Sequence, residues 1–204
     1  MPVGSLMPLA KLSKLQNLSV GGNLLGKHVV SATSAAAQTF PSELPLGLKQ
    51  LKVNDNFLSN VPRPILSAKL VKLEKLDLSS NQLAAIPIEI SNLVALTELN
   101  LDNNVIVSLP NDIGKLKKLK VLSLRGNRIS AHSTNWSEKN PQPLPRSLFA
   151  DTPIIDLNLH GNPMTSTELN TMEGVDAFLE RRQKVKTSTL LGGGLTSLDV
   201  CGLE

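Results

Sequence analysis

A repeat of 23 residues constrains this chain more than any other feature. The stretch Leu73–Leu119 reads LEKLDLSSNQLAAIPIEISNLVA and then LTELNLDNNVIVSLPNDIGKLKK. Leu73, Leu76, Leu78 and Leu83 recur at Leu96, Leu99, Leu101 and Ile106, and Asn81 recurs at Asn104. Ile86-Pro87 recurs as Leu109-Pro110, and the pattern runs on through Leu119, Leu122, Leu124 and Asn127. A fixed period of this size builds a solenoid, in which each unit buries its apolar face only against its neighbours. Within a unit, Leu76 and Leu78 alternate with Lys75 and Asp77, which predicts a short strand with one core face and one solvent face. The asparagine falls where the chain must turn off the strand. There its carboxamide can both donate to and accept from backbone groups that the turn leaves without ladder partners. The following Ile-Pro or Leu-Pro step favours extended backbone. Ile90, Leu93 and Leu96, and again Ile113, Leu116 and Leu119, then follow at helical spacing.

These residues spell L-x-x-L-x-L-x-x-N-x-L, and the chain resembles the leucine-rich repeat family over about residues 5–164. The resemblance implies an α/β fold: a right-handed horseshoe solenoid with a parallel concave sheet, short convex helices and a C-terminal capping helix. Six rungs are expected, with turn asparagines at Asn23, Asn56, Asn81, Asn104, Asn127 and Asn162. Their spacings are 33, 25, 23, 23 and 35 residues, so the irregularity sits in the first and fifth rungs. Each of those rungs holds twelve extra residues after the asparagine turn, near 26–39 and 130–143. The first rung is expected to be exposed and frayed. Either the opening residues cap it poorly, or the chain is shorter at this end than its relatives.

The solenoid is assigned to residues 1–164. Thr165-x-x-Glu168 reads as a capping box that opens a helix with Leu169, Met172, Val175, Phe178 and Leu179 as its apolar stripe. That helix is assigned to 165–186, where it would cover the sixth rung. Residues 187–204, with three consecutive glycines, read as a flexible tail. The 23-residue form with Ile-Pro or Leu-Pro is similar to the intracellular class that includes Ras-associated scaffolds. The end of the chain carries Asn162-Pro163, Met172-Glu173-Gly174, Phe178 and Glu180-Arg181-Arg182. It is similar to small cytoplasmic leucine-rich repeat proteins of plants and protists. A partner from a small GTPase pathway, or a phosphatase component, is what this resemblance implies.

Composition narrows the function. Aromatics are only 2% and tyrosine is absent, which leaves little with which to stack bases. The single cysteine, Cys201, excludes an internal disulfide framework. No signal peptide, myristoylation pattern or membrane-length apolar run is visible, so the expected compartment is the cytoplasm, with the nucleus as the alternative. The histidines His28, His132 and His160 do not converge; the first two occupy equivalent insertion sites about four rungs, roughly 19 Å, apart. No enzyme, cofactor, metal or small-molecule substrate is expected, and the protein is expected to be a monomer.

The polar strand positions are the better candidates. A concave face built from Lys52, Lys75, Asp77, Glu98, Asn100, Asp102, Ser123, Arg125, Asn158 and His160 would hold another protein, with Trp136 in the second insertion as an anchor. The function read from the sequence is therefore a non-catalytic scaffold or adaptor for protein–protein interaction. The alternative is an electrostatic binder of nucleic acid or acidic membrane through lysines of the helical return. Residues 111–128 carry six bases against one acid.

Overall fold

The computed structural model describes residues 9, 11–26, 40–130, 142–189 and 201. Six three-residue strands, β1 (Asn17–Ser19), β2 (Gln50–Lys52), β3 (Lys75–Asp77), β4 (Glu98–Asn100), β5 (Val121–Ser123) and β6 (Asp156–Asn158), form one parallel sheet. They pair strictly in chain order. Register is continuous: Leu18, Leu51, Leu76, Leu99, Leu122 and Leu157 stand side by side at the central position. From the second rung on these leucines are buried, as are Val53, Leu78, Leu101, Leu124 and Leu159 two residues later. The core is thus a stack of aliphatic columns, each side chain contributing about 1.5–3 kcal/mol through burial.

The return from each strand to the next is tighter than the expected helices. Arg63–Leu66, Ile88–Asn92 and Asn111–Lys115 are 3₁₀ turns, and among the described residues only the fifth rung has an α-helical return, α1 (Arg146–Asp151). The spacing explains this. Pro87, Ile90, Leu93 and Leu96 lie three residues apart, and each of the last three donates its N–H to the carbonyl three residues before it. Three residues per turn is the 3₁₀ period, so Ile90, Leu93 and Leu96 all face inward. At about 2.0 Å per residue, against 1.5 Å for an α-helix, this return also spans the rung with fewer residues. A proline precedes each return (Pro62, Pro87, Pro110, Pro145), where its missing N–H leaves no helical bond unmade.

The two ends differ. In the first rung Leu18 is only half-buried, and Asn17 and Ser19 are exposed. The sixth rung is covered by two helices rather than the one expected, α2 (Ser166–Asn170) and α3 (Val175–Thr189). Thr165 and Glu168 form the capping box: the Thr165 N–H donates to Glu168 Oε2 at 2.7 Å, and the Glu168 N–H to Thr165 Oγ1 at 3.2 Å. Gly174, at φ 88°, makes the joint between the helices; a Cβ there would sit 3.2 Å from the Arg146 carbonyl oxygen. Leu169, Met172, Val175 and Phe178 are buried, and the Phe178 ring lies 6.0 Å from that of Phe149 in α1. Arg181 fastens α3 to the stack by donating to the carbonyls of Phe149 and Ile154. Desolvation of its partly buried guanidinium lowers its pKa from the ordinary arginine value.

The tail reading fails at one residue. Cys201 is fully buried, and its carbonyl accepts the Leu159 N–H at 2.8 Å. In rungs two to five the equivalent N–H (Val53, Leu78, Leu101, Leu124) donates to a carbonyl of the next strand, so Cys201 supplies the bond that a seventh rung would. Its Sγ lies 3.6 Å from Arg182, whose guanidinium sits over the Phe178 ring.

Candidate functional site

The asparagines set the geometry of the sheet's exit edge. Asn104 donates to Leu78 O in the rung before it at 3.1 Å and to Leu101 O in its own rung at 3.0 Å. Its Oδ1 accepts the Leu83 N–H at 3.0 Å. Asn56, Asn81 and Asn127 repeat all three bonds, and each is buried. Asn162 repeats them in a half-buried position. Asn23 bonds only Val20 O and Gly21 O of its own rung among the described residues.

The residue before each asparagine is in the left-handed region: Gly22, Asp55, Ser80, Asn103, Gly126 and Gly161, with φ between 52° and 72°. Glycine, aspartate and asparagine tolerate this conformation best. Sequence reasoning missed this column, although its letters were the signal.

The same turn gives several candidate binding residues a local task. Asp77 Oδ1 accepts the N–H and hydroxyl of Ser79, Asn100 Oδ1 accepts the Asp102 N–H, and Asn158 Oδ1 accepts the His160 N–H. These side chains close the strand ends as Asx turns. Asp102 bridges rungs, its Oδ1 accepting the Arg125 N–H at 2.8 Å.

Between these turns and the strands lies a shallow depression of about 350 Å³. Lys52, Lys75, Asp77, Glu98, Asn100, Asp102 and Ser123 all line it, together with Gln50 and Val121. Lys75 and Glu98, paired in register, meet at 2.6 Å with both side chains about half exposed, an ion pair worth under ~1 kcal/mol. Lys52 and Arg125 are exposed and make no ion pair among the described residues. Asn158 and His160 lie on the sixth rung beyond the depression. Trp136, His28, His132 and the bulk of both insertions lie outside the described residues.

Among the described residues, no group of three or more His, Cys, Asp or Glu could hold a metal ion, and no helix is long and apolar enough to cross a membrane. Lys117 and Lys118, expected on the convex return, stand in the turn that leads into β5.

In-register one-rung strands, an asparagine ladder at the exit turns and a polar concave floor define an α/β solenoid of the leucine-rich repeat kind. The family model described as "Leucine rich repeat" matches residues 47–106 of the chain. A leucine-rich repeat protein of Leptospira interrogans is similar in structure, with 29% identity and a TM-score of 0.58, over 81% of this chain and 36% of the other. InlP of Listeria monocytogenes is similar at 26% identity and a TM-score of 0.52, over 76% of this chain and 36% of its own. The chain thus spans about a third of the length of either structure. No curated protein matches it in sequence.

Proposed function

We propose that the protein is a non-catalytic interaction scaffold that holds another protein on its concave floor. The observation that carries this reading is the depression shared by β2 to β5, whose lining places opposite charges in register on neighbouring rungs. Lys52 and Lys75 lie toward the second and third rungs, with Asp77, Glu98 and Asp102 on the third and fourth. Such a pattern selects a partner by charge register and speeds encounter more than it adds raw affinity. Asp77 and Asn100 then act twice, as strand-end caps and as pre-oriented acceptors. Lys52, Glu98 and Arg125 have the greater freedom to meet a partner.

The repeat form points to components of small GTPase or phosphatase pathways as the first partners to try, to the cytoplasm as the compartment, and to a monomer as the acting species. Affinity capture with the wild type, Glu98→Lys, Trp136→Ala and the double reversal Lys117→Glu/Lys118→Glu tests the assignment. Glu98→Lys and Trp136→Ala each weaken capture of the partner while stability stays within about 0.5 kcal/mol, as for other surface changes. The double reversal leaves capture intact. A partner lost with the double reversal and kept by the other two variants overturns the reading.

A further inference from the structure

The two edges of the sheet differ in charge. At the exit edge, the six turn segments 21–26, 54–59, 79–84, 102–107, 125–130 and 160–165 carry two arginines and two aspartates. At the entry edge, the segments 11–16, 44–49, 69–74, 92–97, 115–120 and 150–155 carry nine lysines against Glu74 and Asp151. That is a net of +7 on one rim of a chain whose total is +4. Lys11, Lys14, Lys49, Lys69, Lys72, Lys118 and Lys120 are exposed there and make no ion pair among the described residues.

The same rim exposes aliphatic side chains in register. Leu46, Val71 and Val94 each stand four residues before the first residue of β2, β3 and β4, and are 55%, 53% and 52% exposed. The strand spacing sets them about 4.8 Å apart. Lys117 and Lys118 continue the row on the fifth rung, Lys14 lies on the first, and Lys49, Lys69 and Lys72 flank it. A row of solvent-facing aliphatics bordered by unpaired lysines is the chemistry of an anionic bilayer surface. There the lysines meet lipid phosphates and the apolar tips enter between headgroups.

We propose that this entry rim, distinct from the concave floor, docks the protein peripherally on anionic membrane. Nucleic acid fits less well: a phosphate backbone gives nothing to Leu46, Val71 or Val94, and these segments hold no aromatic ring on which a base could stack. Held by this rim, the solenoid keeps its concave floor open to a protein partner, so the two surfaces can act together.

Vesicle flotation tests the proposal with phosphatidylcholine alone and with phosphatidylcholine containing phosphatidylserine. Binding is expected only with phosphatidylserine, and it falls as salt screens the lysines. Lys69→Glu/Lys72→Glu abolishes it, whereas Leu46→Ser/Val71→Ser/Val94→Ser lowers it roughly tenfold with the salt dependence retained. Lys52→Glu, on the concave floor, leaves it unchanged, and circular dichroism verifies that every variant is folded. Absence of flotation, equal flotation with neutral vesicles, or a triple serine variant that floats like the wild type overturns the proposal. So does competition by polyglutamate or single-stranded DNA that is undiminished in the triple serine variant, since the rim would then read charge alone.

Discussion

The first and last rungs carry the same asparagine and the same strand, yet one is open and the other closed. Asn23 bonds within its own rung and Leu18 is half-buried, whereas Leu157 and Leu159 are fully buried and the Leu159 N–H is taken by the Cys201 carbonyl. A rung is therefore not stable by virtue of its letters. Its leucines and its asparagine count only where a neighbour supplies the other half of the contact.

The largest effect comes from removing that neighbour. Deleting Thr165–Glu204 uncovers the sixth rung and discards the buried side chains of Cys201 and of Leu169, Met172, Val175 and Phe178, the last four worth about 1.5–3 kcal/mol each. A loss of at least about 5 kcal/mol in urea denaturation is expected, with aggregation on heating. Next comes the ladder itself. Asn104→Leu leaves the Leu83 N–H and the Leu78 carbonyl without this partner and should lose about 2–3 kcal/mol. Asn23→Leu should lose clearly less, and equal midpoint shifts in denaturant would erase the contrast between inner and outer rungs. Deleting only Thr187–Glu204 should lose about 1–2 kcal/mol, because the Leu159 N–H forfeits the Cys201 carbonyl. An unchanged melting temperature would return this stretch to the status of a loose tail. Smallest is Thr165→Ala, which removes the capping-box hydroxyl and should shift the unfolding free energy by about 1 kcal/mol.

The interior of the stack was legible because its signals repeat. Leu76, Leu99 and Leu122 mark one column, and the alternation at Lys75 and Asp77 gives strand and face together. The returns read as short helices, and a spacing of three occurs in both helical forms; the unbroken run Pro87, Ile90, Leu93, Leu96 is the signal that marks them as 3₁₀. The floor residues were found by alternation alone, which cannot tell that Asp77 and Asn100 also close their own turns. Cys201 was illegible for a different reason. It follows a glycine-rich stretch outside the period, and its bond to Leu159 depends on where α3 delivers the chain. Arg181 and Arg182 were equally unreadable, since their partners Phe149, Ile154 and Cys201 lie far off in sequence.

The asparagine ladder also decides where this chain can be lengthened. Each carboxamide ties the carbonyl of one rung to that of the next, and it takes the N–H two residues past the previous rung's asparagine. A residue added between strand and asparagine would throw every later bond out of step. Among the described residues, the N–H groups of Leu25 and Ile129 make the last of these ties before the next strand. Both twelve-residue insertions begin just past that boundary, after Leu25 and after Ile129. Loop length there adds only a slowly growing closure entropy. The ladder thus acts as a reading frame, and new surface can be spliced into this solenoid where the frame is already closed.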